Sequence, residues 1–124
     1  MTIVANRLQL KKMSLAKVQL KIYQDEDGDA PFLKWLERLK DPSTRARVQV
    51  RLDRAEDGNL GDHKALGGGL WELRLSHGAG ARIYFGRQGR EFVMLLVGGD
   101  KRSQRRDIER ARIYWSDYLM RGGK

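Results

Sequence analysis

Two arginines stand among strand-forming residues in the run LWELRLSHGAGARIYFG, residues 70–86: Arg74 and Arg82. His77 lies at the turn between them and Tyr84 follows Arg82 by two positions. Lys64 precedes the run, and Lys101 and Arg102 follow the next apolar stretch. Cations and rings in this mixture suit a nucleic-acid strand, because arginine grips a phosphate bidentately and a ring can stack on a base. If the anion is the scissile phosphate of RNA, the same groups can do chemistry. Arginines stabilise the charge that builds on the phosphorane, a base takes the 2′-OH proton, and an acid protonates the leaving 5′-oxygen. That chemistry needs no metal. The two histidines, His63 and His77, form no cluster with cysteine or carboxylate at ligand spacing, so neither metal nor other cofactor is expected.

The elements that must position these groups are two strands joined by a short turn. Side chains alternate between the faces of a strand. Trp71, Leu73 and Leu75 point one way, with Ala81, Ile83 and Phe85 from the second half. Glu72, Arg74, Ser76, Arg82 and Tyr84 point the other way. The apolar set must meet helices, which leaves the polar set on an open face. Solvated arginines are common on such a face, so the pattern alone also fits ordinary surface residues. His77 is equally readable as a turn residue and Tyr84 as a packing residue.

Upstream, VQLKIY (18–23) reads as a first strand. Asp29 as cap and Pro31 at the first helical position open a helix. Phe32, Trp35, Leu36 and Leu39 form its buried stripe, so Trp35 is a core residue. Asp41 and Pro42 open a second helix that Gly58 ends, with Val48, Leu52 and Ala55 inward. Arg47, Arg51 and Arg54 make a further stripe, either solvated and paired with Asp53 and Glu56 or in contact with RNA phosphates. Residues 60–70 read as a loop with three successive glycines. Strands follow at 70–76, 80–86 and 91–97. Ser103 caps a last helix over 104–120 with Ile108, Ala111, Trp115 and Tyr118 on one side.

The order is β-α-α-β-β-β-α, an α+β fold. We expect a mainly antiparallel four-stranded sheet, two N-terminal helices on one face and a C-terminal helix. Residues 1–16 show no sustained period and read as a poorly ordered extension. Residues 17–120 form one domain and 121–124 a tail.

The chain of 124 residues carries 25 basic and 16 acidic side chains, a net charge of +9. The acids gather in QDEDGD (24–29) and the bases in KRSQRRDIERAR (101–112). Such a balance favours polyanionic partners. There is no cysteine, no stretch of membrane-spanning length and no signal-peptide pattern, so a cytoplasmic protein without membrane contact is expected.

The run KALGGGLWELRLSHGAGARIYFGRQGREFVMLLVGGDKRSQRRDIERARIYWSDYL strongly resembles the RelE/ParE toxin superfamily of type II toxin–antitoxin modules. More narrowly, it resembles the phage-derived, HigB-like branch of addiction-module killer proteins. LWELRL, ARIYF and above all GGDKRSQRRDIERA carry the likeness, and KIYQDEDGDAPFLKWLERLKD agrees with the branch's opening; together it spans about residues 17–120. The resemblance implies a compact RelE fold and a metal-independent endoribonuclease that cuts mRNA in the ribosomal A site. It also implies a cognate antitoxin, commonly a helix-turn-helix protein encoded nearby. It places Arg74 and Arg82 around the scissile phosphate and Lys101 and Arg102 at the family's basic pair. Glu72 stands where a strand lysine is expected, and the family's C-terminal tyrosine has no match, Tyr114 being nearest. HigB-type members use histidines, a role open to His77. ParE-type relatives share the fold but inhibit DNA gyrase, and a non-catalytic nucleic-acid-binding module is a third reading.

Overall fold

Pro31 and Pro42 each stand at the start of a helix, where the missing N–H costs no hydrogen bond. The computed structural model describes residues 18–89 and 92–123. The elements run β1 (Gln19–Ile22), α1 (Pro31–Arg38), α2 (Pro42–Glu56), β2 (His63–Gly67), β3 (Leu70–Arg74), β4 (Arg82–Gln88), β5 (Phe92–Gly99) and α3 (Gln104–Met120). Asp41 caps α2, accepting from the Ser43 N–H at 3.1 Å and the Thr44 hydroxyl at 2.7 Å. Ala30, not Asp29, is the N-cap of α1; Asp29 pairs with Lys34 at 3.3 Å instead. The extension expected over residues 1–16 lies outside the described residues.

The sheet has five strands in the order β1-β5-β4-β3-β2. This corrects the four-stranded antiparallel expectation in two ways. The stretch read as a loop at 60–70 contains β2, which pairs antiparallel with β3. Its polar, glycine-rich sequence hid it, because an edge strand with little buried surface needs no apolar alternation. And β1 lies parallel to β5, so the sheet is mixed. The links β2-β3-β4-β5 are antiparallel throughout.

Both faces of the sheet are covered. Phe32 of α1 and Val48, Leu52 and Ala55 of α2 pack with Leu73, Ile83, Phe85 and Leu95 on one face. On the other, Ala111, Trp115 and Tyr118 of α3 pack with Leu70, Tyr84, Met94, Leu96 and Val97. The second face is therefore not open. The stripe on α3 is too apolar to stay in water, and the sheet is the surface it buries against.

A register shift between β4 and β5 sets which residues meet α3: Tyr84 pairs with Val97, but the next residue, Phe85, pairs with Leu95. Leu96 is the extra residue, and Leu96 and Val97 both join the α3-side core. Beyond the bulge, Gly98 turns to α1 and Gly99 to α3. A Cβ on Gly98 would stand 2.2 Å from the Trp35 ring, and one on Gly99 1.8 Å from Asp107 Oδ2. The glycine pair thus extends β5 beyond the strand expected at 91–97, and its missing side chains seat a helix on each face.

The same close approach recurs at Gly86, where a Cβ would fall 2.1 Å from the Trp115 ring. Trp115 also donates to the Gly68 carbonyl at 2.9 Å, which locks α3 to the β2–β3 turn. Gly86→Ala should cost about 1–3 kcal/mol, as overpacking does where the backbone has nowhere to go. Urea denaturation checks this; an unchanged midpoint would mean that α3 is not seated here.

Candidate functional site

Strand pairing assembles the polar residues in two rows on the α3 side of the sheet. Arg74 of β3 stands directly opposite Arg82 of β4, which in turn faces Gly99 of β5. One step along, Lys64 of β2, Glu72 of β3, Tyr84 of β4 and Val97 of β5 form the next row. The N-terminal turn of α3 lies over them. Gln104 donates to Glu72 Oε2 at 2.8 Å. Ser103 donates to Asp107, and Arg110 pairs with Asp107 at 3.5 Å.

Burial is severe in these rows. Tyr84 is fully covered, Glu72 is 1% exposed and Arg82 is 8% exposed. Four buried polar atoms have no hydrogen-bond partner among the described residues: Glu72 Oε1, Arg74 Nε, Arg82 Nε and the Tyr84 hydroxyl. Arg74 Nε and Glu72 Oε1 stand 4.0 Å apart, too far for a hydrogen bond. The other end of Arg74 reaches Asp62 at 3.3 Å, and 37% of its side chain remains exposed. Arg82 has only long bonds to carbonyls close to it in sequence, Gly80 at 3.2 Å and Ala81 at 3.3 Å, and no ion pair among the described residues. A guanidinium does not shed its proton, so burial leaves the Arg82 charge without a direct ion pair among the described residues, beside a second guanidinium and near the carboxylates of Glu72 and Asp107. That arrangement favours an anion. Burial, then the charge of Glu72, holds the Tyr84 proton far above the ordinary phenol range. Tyr84 is therefore a donor and not a base at neutral pH.

The other residues singled out in the sequence fall around this centre. Lys64 is exposed on the edge strand, in register with Glu72, so a lysine stands one strand over from the carboxylate. Lys101 is exposed and lays its stem across Gly80, where a Cβ would meet it at 2.9 Å. Arg102 is exposed and lines a surface hollow with Arg105 and Arg106. His77 turns to the other side of the sheet, where its Nε2 meets Ser43 Oγ at 3.1 Å. Arg47 is exposed on α2 without an ion pair among the described residues. Arg51 is half-buried, and its guanidinium donates to the carbonyls of Arg74 at 2.6 Å and of Leu60 and Asp62 at 2.9 Å each. It clamps backbone at the end of β3.

Two expectations change. Glu72, Arg82 and Tyr84 do not lie on an open face, and Tyr84 cannot offer its ring to a base while α3 stays seated. Gln104, Asp107 and Asp62 were not singled out. Asp107 carried a signal: it continues the stripe Ala111, Trp115 and Tyr118 as its one charged member, and a charge in an apolar stripe asks for a buried partner.

Residues 34–115 match the family model described as phage-derived protein Gp49-like (DUF891). A Haemophilus influenzae protein described as uncharacterized is 40% identical over 82 residues, which is 66% of this chain and 83% of that protein. The chain belongs to the phage-derived Gp49-like family, a RelE/HigB-like toxin family associated with toxin–antitoxin modules. An antitoxin partner goes with that membership. Among the described residues, no helix is long and apolar enough to cross a membrane.

The orphaned hydroxyl yields a test. Tyr84→Phe removes a buried hydroxyl that forms no hydrogen bond of acceptable geometry among the described residues, although the Glu72 carboxylate lies against it, so the change should be close to neutral in urea at pH 7. Its raised folded-state pKa also means that the fold loses stability as pH rises above 10, where the unfolded chain sheds the phenol proton and the folded one keeps it. Tyr23, pushed up to about 12 by burial and by its bond to Asp117, adds the same trend in both proteins. Urea midpoints at pH 9 and pH 11 should therefore converge more closely for Tyr84→Phe than for the parent. A hydroxyl that proves stabilising at pH 7 would contradict the orphan assignment.

Proposed function

We propose that this protein is the toxin of a type II toxin–antitoxin module, acting as a metal-independent endoribonuclease that cuts ribosome-bound mRNA and arrests translation. The observation that carries the reading is the buried guanidinium of Arg82, without an ion pair among the described residues, in register with Arg74. Arg74 and Arg82 hold the scissile phosphate and stabilise the charge of the phosphorane. The phosphate enters from the Arg74 side, which is the exposed end of the pair. Lys101 and Arg102 add positive field at the same end of the sheet, and Lys64 flanks the entry from β2.

The proton acceptor for the 2′-OH is Glu72, whose Oε1 is unpartnered and lies beside Arg74. Tyr84 keeps its proton and supports the Glu72 carboxylate from beneath α3. His77 and Arg47 lie on the opposite side of the sheet and take no part in holding the phosphate, and Arg51 braces the end of β3 through its three carbonyl bonds. A cytoplasmic site of action, the ribosome as platform and a helix-turn-helix antitoxin complete the proposal.

Expression from a repressed promoter, followed by mapping of mRNA 5′ ends, tests it. Codon-phased cuts should accompany growth arrest. Arg82→Met keeps the buried stem but removes the charge, and should lower cleavage by about 100-fold or more, the scale of losing one charge-stabilising donor. Glu72→Gln should do likewise, with circular dichroism confirming both folds. Growth arrest with intact message and double-strand DNA breaks would replace this reading with gyrase inhibition. Absence of arrest, with salt-sensitive nucleic-acid binding only, would replace it with a binding module.

A further inference from the structure

On the side of the sheet away from Arg82, α2 and the turn after β3 enclose a groove of about 480 Å³. Ser43, Arg47, Val50 and Arg54 line one wall, Leu75 and His77 the other. The lining residues of α2 recur from 43 to 54, a length of about 16 Å of helix. They divide by chemistry. Ala46, Val50 and Leu75 are the groove's aliphatic lining, and Val50 is 46% exposed although aliphatic. Arg47 and Arg54 line it too, exposed and without an ion pair among the described residues. Asp53, the carboxylate nearest in sequence, accepts from Gln49 at 2.9 Å. The groove's lining contains no carboxylate.

We infer that this groove docks a protein segment in which acidic side chains flank aliphatic ones, supplied by the antitoxin. Exposed arginines beside an exposed valine match such a segment in both charge and apolar surface. A nucleic-acid strand fits less well. Its bases call for aromatic or guanidinium planes to stack on. The groove's one ring is His77, which is held edge-on to Ser43 by the Nε2 contact at 3.1 Å. The middle arginine, Arg51, is committed to three backbone carbonyls. The aliphatic lining has no use in binding phosphates. The inference goes beyond the nuclease reading and requires no catalytic activity.

A display library of random 16-residue peptides, selected against the full-length protein, tests it. Enriched peptides should carry Asp or Glu spaced three or four positions from Leu, Ile or Val. Their binding should fall at least tenfold in Arg47→Glu/Arg54→Glu and again in Val50→Asp. All three positions are exposed, so both variants should keep the parent's circular dichroism and melting temperature. A 20-nucleotide single-stranded RNA serves as the competing probe. Peptides unaffected by these variants would overturn the inference, as would failure to enrich any peptide. So would RNA binding that falls in the arginine variant but ignores Val50→Asp, since that pattern assigns the groove to nucleic acid. Loss of mRNA cleavage bears on the nuclease reading alone and leaves these outcomes unchanged.

Discussion

The seating of α3 on the second face of the sheet governs both the core and the site. Trp115 fills the space that Gly86 leaves, and Asp107 fills the space at Gly99. Those two contacts fix the helix at both ends. Between them, the stripe of Ala111, Trp115 and Tyr118 buries Tyr84, Leu96 and Val97. With the helix in place, the first turn of α3 closes over Glu72, the diagonal neighbour of Arg82. A polar row that would be ordinary on a wet sheet becomes a desolvated cluster of two guanidinia, a carboxylate and a phenol. Desolvation is what turns these groups into a candidate centre, because charges act far more strongly on one another out of water.

The cluster is left incomplete in a definite way. Glu72 has one oxygen satisfied by Gln104 and one free. Arg74 spends one end on Asp62, and Arg82 has no ion pair among the described residues. Buried polar groups are normally satisfied, and an exception of this size in one place signals a ligand more than a packing error. Arg51 supports the arrangement from the opposite side of the sheet, since its guanidinium holds the carbonyls of Arg74 and Asp62 and so sets the distance between that ion pair.

Much of this was legible in the sequence, and the failures have physical causes. The helix over 104–120, the Asp41 cap and the cross-strand pairing of Arg74 with Arg82 follow from periodicity, capping chemistry and alternation. Strand β2 was not legible, because an exposed edge strand of histidine, lysine, alanine, leucine and glycine has no apolar face to announce it. Nor was the parallel pairing of β1 with β5, which depends on long-range topology. The closed second face was half legible: the stripe on α3 was visible, but its destination was not. The bulge at Leu96 decides that destination, and one extra residue in an all-apolar strand leaves no trace in the pattern.

The central claim is that Arg82 and Arg74 together form a buried anion site. The most direct measurement is nuclear magnetic resonance of the arginine Nε–H groups in the full-length protein during titration with inorganic phosphate. The account predicts saturable shifts at Arg82 and Arg74 that precede those of the exposed arginines. Shifts confined to Arg102, Arg105 and Arg106, with Arg82 unmoved at saturation, would contradict it.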